Sequence, residues 1–302
     1  MLGSVRGDPT LRTRAKITVA LLPMLLLGVG CSLAVATDGL TGGAANPGPD
    51  AAAATDAQAD TASADTGSTQ DGGGPPLDGS ASTPGLLGRW DFETLEGSSI
   101  KDSSGRSHSG AIRGNPTLTP GRIGASALLL DGQDDYIELG TSSALRPAAA
   151  FTVSAWVKPA DFGDKWGGAG FIMADGPDCC TTTEGLGLGL HLGGGQAPRG
   201  YIWRTSSEQV DITGTGMTAN NWHNVVFTFD GTALKLYQDG TLTKTQTVAP
   251  TGVARSAQNP LLIGRVRVTS ASSYPFHGAI DDVRLYDRAI SPAEVTAIFS
   301  GK

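Results

Sequence analysis

The fold class the sequence predicts is all-β, a sandwich or barrel, and three observations predict it. About a dozen short runs alternate apolar and polar residues or are rich in β-branched and aromatic residues, with Gly-rich turns between them. Two Asp-Gly pairs, Asp230-Gly231 and Asp239-Gly240, flank one short run, and Asp-Gly tolerates the positive φ of tight hairpin turns, so a three-stranded antiparallel meander is expected there. Charged residues are only 17% of the chain, against a usual share of about 25%, which weighs against a Glu/Lys-rich helical protein.

The elements follow in order. All 18 aromatic residues lie at or after Trp90, so the packed core must be built downstream of it. Strands are expected at 128–130 and 136–139. At 151–158, Phe-Thr-Val-Ser-Ala-Trp-Val-Lys has the alternation of a half-buried strand. Further strands are expected at 171–173, 186–190, 200–204, 222–229, 234–238, 261–263 and 279–286. Trp156 and Trp222, inside alternating strands, are expected in the core. One helix is predicted after Ser291-Pro-Ala-Glu294, a capping box with Pro at the first helical position, followed by Val295, Ile298 and Phe299 on one face.

Charge divides the chain into three. Residues 1–36 carry Arg6, Arg12, Arg14 and Lys16 against Asp8, a net +3; residues 37–85 carry seven Asp and no base; residues 86–302 carry a net −3. The overall −7 and a pI near 5.0 offer no cationic surface for phosphates, which argues against nucleic-acid binding. Three cysteines are too few for a disulfide-stapled miniprotein or a four-cysteine zinc site.

A basic start followed by an apolar run from Ile17 to Gly30 is the layout of an export signal. With Cys31 directly after Gly28-Val29-Gly30, it resembles a bacterial lipoprotein signal, which implies that residues 1–30 are removed and that Cys31 is the lipid anchor. It departs from that pattern in having Leu27 four rather than three residues before the cysteine. Cleaved secretion without lipid and an uncleaved membrane anchor are the alternatives. Ser32 after the cysteine implies, by the same resemblance, an outer-membrane location, facing the surface or the periplasm. Residues 31–85 form an Ala/Gly/Thr/Asp-rich linker with too little apolar surface to offset its ordering entropy, and its like charges keep it extended. As a random coil of about 50 residues it reaches roughly 40 Å.

Within 86–302, Trp90-Asp-Phe-Glu93, Asp102-Ser-Ser-Gly105, Leu130-Asp131-Gly132, Tyr136-Ile137, Trp222-His223, Leu236-Tyr-Gln-Asp-Gly240, Leu262-Ile-Gly264 and Phe276-His-Gly-Ala-Ile-Asp281-Asp282-Val-Arg-Leu-Tyr286 stand in a set order. In these motifs and their order the segment resembles a LamG-like jelly-roll domain, which implies a concanavalin A-like β-sandwich of two antiparallel sheets, a fold shared by lectins, adhesion modules and some glycanases. The resemblance also implies one calcium ion (Ca2+) at the sandwich edge, linking an early loop to the last strand. Calcium takes six to eight hard oxygens. Asp102 and one of Asp281 and Asp282 are the expected ligands, with Asp91 and Glu93 next; the alternative is that Asp102 caps a turn and Asp282 accepts bonds from a neighbouring loop.

Catalysis is not expected. Glycanases of this fold carry an acidic-x-acidic-x-x-acidic run that brings two carboxylates to one face of a strand, and no such run is present. Asp281 and Asp282 are adjacent, so regular alternation aims them at opposite faces. The four histidines, His108, His191, His223 and His277, lie near no Gly-x-Ser-x-Gly nucleophile motif. Cys179 and Cys180 are adjacent in an exported chain, and a vicinal disulfide is expected, with free thiols or bridges to another chain as alternatives. They lie in the long Gly-rich stretch 161–200, the kind of loop on a rigid scaffold that carries binding. There Trp166 is the candidate sugar-stacking ring, with Asp175 or Asp178 for hydroxyl groups; alternatively Trp166 packs under its own loop. The sequence therefore reads as a non-catalytic, monomeric cell-surface recognition or adhesion module for glycans, held to the membrane only through its lipid. A protein-binding adhesion scaffold is the alternative, and a glycan-active hydrolase or lyase a further one.

Overall fold

A computed structural model describes residues 83–162, 170–175, 188–193, 196–266 and 274–301. Cys31, Trp166, Asp178, Cys179 and Cys180, the leader 1–30 and all but the last three residues of the 31–85 linker lie outside the described residues.

Seventeen strands and one α-helix are described. In chain order they are β1 (Leu86–Trp90), β2 (Leu95–Glu96), β3 (Ser99–Ile100), β4 (Gly110–Arg113), β5 (Thr117–Pro120), β6 (Ser126–Asp131), β7 (Tyr136–Glu138), β8 (Phe151–Pro159) and β9 (Phe171–Ala174). There follow β10 (Leu188–Gly193), β11 (Ala197–Thr205), β12 (Glu208–Thr213), β13 (His223–Phe229), β14 (Ala233–Gln238), β15 (Thr241–Thr247), β16 (Leu262–Ile263), β17 (His277–Tyr286) and α1 (Pro292–Phe299). One sheet runs β15-β14-β13-β8-β17-β6-β5 with β1 also paired to β17; the other runs β12-β11-β10-β9-β16-β7-β4-β3-β2. All strand pairings are antiparallel. The expected meander is present as β13-β14-β15, and Asp239 and Gly240 both take positive φ, 49° and 76°, at its second turn.

The core lies between the sheets. Phe151, Val153, Ala155 and Val157 of β8 enter it together with Val225, Phe227 and Phe229 of β13, and Phe151 meets Phe227 edge to face at 5.3 Å. The other face of β8, expected to be solvated, is buried as well, because α1 packs over that side of the sheet. Leu86, Val226, Tyr237, Tyr286, Ile290, Val295 and Ile298 form this second cluster. Trp156 is buried here rather than between the sheets, stacked on Phe299 at 5.5 Å with the Arg122 guanidinium 4.3 Å from its ring centre. Trp222, expected in the core, precedes β13 and is only half-buried, since the strand starts one residue later.

The last long strand departs from regular alternation. Ile280 and Val283 both face the inter-sheet core, three residues apart, because a bulge with φ 46° at Asp282 resets the alternation. It falls where β17 changes partner, pairing β6 through Ile280 and β1 from Val283 onward. Asp281 and Asp282 therefore do not simply point to opposite faces of a strand.

Candidate functional site

Beyond the two cores, the outer face of the nine-stranded sheet carries an aromatic cluster. Leu188, Leu190 and Leu192 of β10 and Ile202 of β11 point inward, which leaves His191, Tyr201 and Trp203 on the outer face. Phe171 of β9 stacks on His191 at 4.7 Å and meets Tyr201 edge-on at 6.1 Å, and Tyr274 lies 6.4 Å from Phe171. Gly189 is paired with Tyr201, and a Cβ there would fall 2.3 Å from the tyrosine ring, so glycine lets that ring cross β10. His191 and Tyr274 are half-buried, while Phe171, Tyr201 and Trp203 are buried. The rim is polar: Arg199 pairs with Asp211 at 3.0 Å between β11 and β12. Ring faces flanked by hydrogen-bonding groups suit a ligand with one apolar and one hydroxylated side.

Sequence reasoning looked for stacking groups in the loops and missed this face. A signal existed in Arg199-Gly-Tyr-Ile-Trp203: a strand apolar on both faces has something to pack on each side. Asp175, expected to meet hydroxyl groups, is only 1% exposed. At the end of β9 its carboxylate accepts from the Leu188 amide at 2.7 Å and pairs with Arg255, so it ties β10 and the 253–259 segment together.

The other acidic candidates organise loops. Asp102 is buried and accepts from the backbone amides of Arg89 (3.0 Å), Ser104 (2.8 Å) and His108 (2.8 Å). Burial pushes its carboxyl up, but bonds from the Ser104 side chain and from those amides outweigh this and hold it below the ordinary value. Asp282 is fully enclosed and bound by the guanidinium of Arg89 at 2.7 Å and of Arg284 at 2.7 Å. Asp281 accepts from the amides of Arg122 (2.7 Å) and Ile123 (2.9 Å) through Oδ2, while Oδ1 is buried with no hydrogen-bond partner among the described residues. Burial pushes the Asp281 carboxyl up to about 6, against the pull of those amides. Glu93 takes the Ala125 amide at 3.1 Å, and Asp91 the Glu93 amide at 3.5 Å. A calcium ion needs oxygens converging on one point. Asp102 and Asp282 face amides and guanidiniums instead, and Asp281 keeps one oxygen over, so among the described residues these three carboxylates do not converge on one point as calcium ligands would.

One other acidic group stands out among the described residues. Asp131 at the end of β6 and Asp134 and Asp135 in the turn to β7 bring carboxylate oxygens within 4.8 Å of one another. Asp135 is buried and accepts from the amides of Asn115 (2.6 Å) and Asp131 (3.1 Å). The histidines stand apart from one another in separate contacts. His191 is in the aromatic cluster, His277 meets Asp161 at 2.7 Å, and the amide of His108 binds Asp102. His223 bridges Asp239 (3.0 Å) and the Thr218 hydroxyl (3.1 Å), pinning the chain that crosses from β12 to β13.

Two antiparallel sheets face to face, with a C-terminal helix across one of them, define a jelly-roll sandwich. The family model described as the concanavalin A-like lectin/glucanases superfamily matches residues 131–296, more than half of the chain, and the protein belongs to that family. Comparison with curated proteins finds no match. Among solved structures, domain 4 of an extracellular arabinanase from Geobacillus stearothermophilus, in complex with arabinotriose, is similar at 23% identity and a TM-score of 0.52, over 70% of this chain and 97% of that domain. The binding domain of botulinum neurotoxin serotype G is similar at 14% identity and a TM-score of 0.55, over 71% of this chain and 50% of that one. The binding domain of botulinum neurotoxin DC, in complex with rat synaptotagmin II, is similar at 15% identity and 0.51, over 72% and 51%. The chain thus spans about half the length of the toxin domains it matches.

Proposed function

We propose that this protein is a non-catalytic recognition module that binds glycans on the outer face of its nine-stranded sheet, displayed at a bacterial cell surface by lipid on Cys31 through the 31–85 spacer. The observation that carries the reading is the cluster of Phe171, His191, Tyr201, Trp203 and Tyr274 outside the inter-sheet core, with polar groups at its rim. A sugar ring lies on the two half-buried rings, His191 and Tyr274, and its hydroxyl groups reach the rim. Likeness to a domain solved with arabinotriose supports a glycan; likeness to one solved with synaptotagmin keeps a protein partner as the alternative.

The test is binding of the full chain to a polysaccharide panel, in calcium and in EDTA, beside the double variant His191→Ala/Tyr274→Ala. Binding to at least one glycan is expected, weakened about tenfold in the variant by the loss of two stacking rings. It is expected to survive EDTA, because Asp282 carries its own cations in Arg89 and Arg284. No binding to any glycan would overturn the reading and transfer it to a protein partner.

A further inference from the structure

The layer between the eight-stranded sheet and α1 is not purely apolar. On β8, Phe151, Val153, Ala155 and Val157 face the inter-sheet core, so Thr152, Ser154 and Trp156 lie on the side that α1 covers. On β13 the same alternation puts Asn224 and Val226 on that side, and Val226 packs in one cluster with Val295 and Ile298 of α1. Trp156 stands opposite Asn224 on one neighbouring strand and opposite Asp281 on the other, while Ser154 stands opposite Val226. Directly opposed residues of an antiparallel pair share a face. Asp281 is fixed there by the amides of Arg122 and Ile123, and the Arg122 guanidinium lies over the Trp156 ring.

Four of these side chains end in a buried atom with no hydrogen-bond partner among the described residues: Ser154 Oγ, Trp156 Nε1, Asn224 Oδ1 and Asp281 Oδ1. The other polar atoms nearby are engaged. Asn224 Nδ2 donates to the Ala155 carbonyl at 3.3 Å, and Asp281 Oδ2 takes its two amides. Thr152, two residues along β8 from Ser154, donates to the Arg288 carbonyl at 2.7 Å and accepts from the Ile290 amide at 3.0 Å. Unmatched buried polar atoms are uncommon, and here they occupy neighbouring positions on one sheet face. Their chemistry is balanced: an indole N–H donates, an amide oxygen and a carboxylate oxygen accept, and a hydroxyl does either. Two donors and two acceptors are the valence of water, and buried water typically joins two to four such groups. A cation fits worse, since it would meet the indole N–H and stand near the Arg122 guanidinium.

We propose that ordered water is built into this layer, bridging β8 to β13 and β17 through Trp156, Ser154, Asn224 and Asp281. It accepts from the Trp156 N–H and donates to the free oxygens of Asn224 and Asp281. The ring on which Phe299 stacks and the acid that holds the β5–β6 turn then share one solvent site. The proposal is independent of the glycan reading. Its test is a pair of water-selective NOE and ROE spectra of the isotope-labelled full chain, with the Trp156 indole proton assigned from sequential connectivities and from its loss in Trp156→Phe. A cross-peak between that proton and water, of opposite sign in the two spectra, is expected; proton exchange alone gives the same sign in both. Because the Ser154 hydroxyl proton resonates with water, Ser154→Ala is the control, and the cross-peak is expected to persist in it. Ser154→Val, whose methyl groups fill the space beside the indole, is expected to weaken the cross-peak several-fold, with an unchanged melting temperature showing that it folds. No cross-peak in wild type, as for an indole bonded directly to the Asp281 carboxylate, would overturn the proposal. So would a cross-peak that vanishes in Ser154→Ala or one that a folded Ser154→Val leaves undiminished. Should Ser154→Val not fold, the wild-type and Ser154→Ala spectra decide.

Discussion

A positive φ at Asp282 turns two adjacent carboxylates into anchors for two different pieces of chain. Asp281 holds the β5–β6 turn through the amides of Arg122 and Ile123, and Asp282 holds β1 through Arg89. The gap they fill is the one that opens where β17 exchanges β6 for β1. The two acids were legible in the sequence as a motif, but their roles were not, because strand alternation fails at a bulge and only the backbone reveals one. Asp281 also makes stability depend on pH. Its folded value, about 6, lies above the ordinary 3.8, so the folded state binds the proton more tightly than the unfolded chain. The contribution is complete below about 3.8 and is lost as pH rises through about 6. Asp281→Asn, which keeps an oxygen for both amides and removes the buried charge, is therefore expected to melt higher than wild type above pH 6. The difference should shrink as pH falls toward 4, and paired thermal melts across that range measure it; a constant difference would contradict the assignment to Asp281.

Among the elements, α1 has the clearest local grammar. Ser291 accepts from the Glu294 amide at 3.3 Å while the Glu294 carboxylate accepts from the Ser291 amide at 2.8 Å, the reciprocal capping box its sequence announces. Arg288 grips the same carboxylate and, together with the Ser291 bonds, brings it down to about 2 despite partial burial. Ser291→Ala is expected to cost about 1 kcal/mol of folding stability, read from the urea midpoint, and no change there would mean that docking alone holds the helix. That docking buries Val295 and Ile298, each worth roughly 1.5–3 kcal/mol. Long strands such as β8, β13 and β17 were legible because several alternating positions agree. The strands β2 and β3, two residues each, carry no period at all and exist only because β4 offers them an edge. The outward face of β8 was misread for a related reason: the residues that cover it lie about 140 positions downstream, in α1.

At the scale of the whole molecule, composition divides the chain more sharply than any motif. An acidic stretch with no aromatic residue precedes a segment that holds all of them. Limited proteolysis of the full chain is expected to release a resistant fragment beginning near residue 86, and resistance of the 37–85 stretch would contradict the spacer reading. A palmitate-analogue label is expected on wild type and lost in Cys31→Ala; label that survives the substitution would overturn the anchor. By itself the sequence determined the fold class, the family motifs, the meander turns and the helix cap, because each of these is written in neighbouring residues through φ preference, alternation and local hydrogen bonds. The candidate site was another matter. Phe171, His191, Tyr201, Trp203 and Tyr274 come from three strands and a connecting segment. Only the tertiary structure brought them together, because sheet pairing, which sets which distant side chains share a face, is decided by long-range register and not by any local pattern.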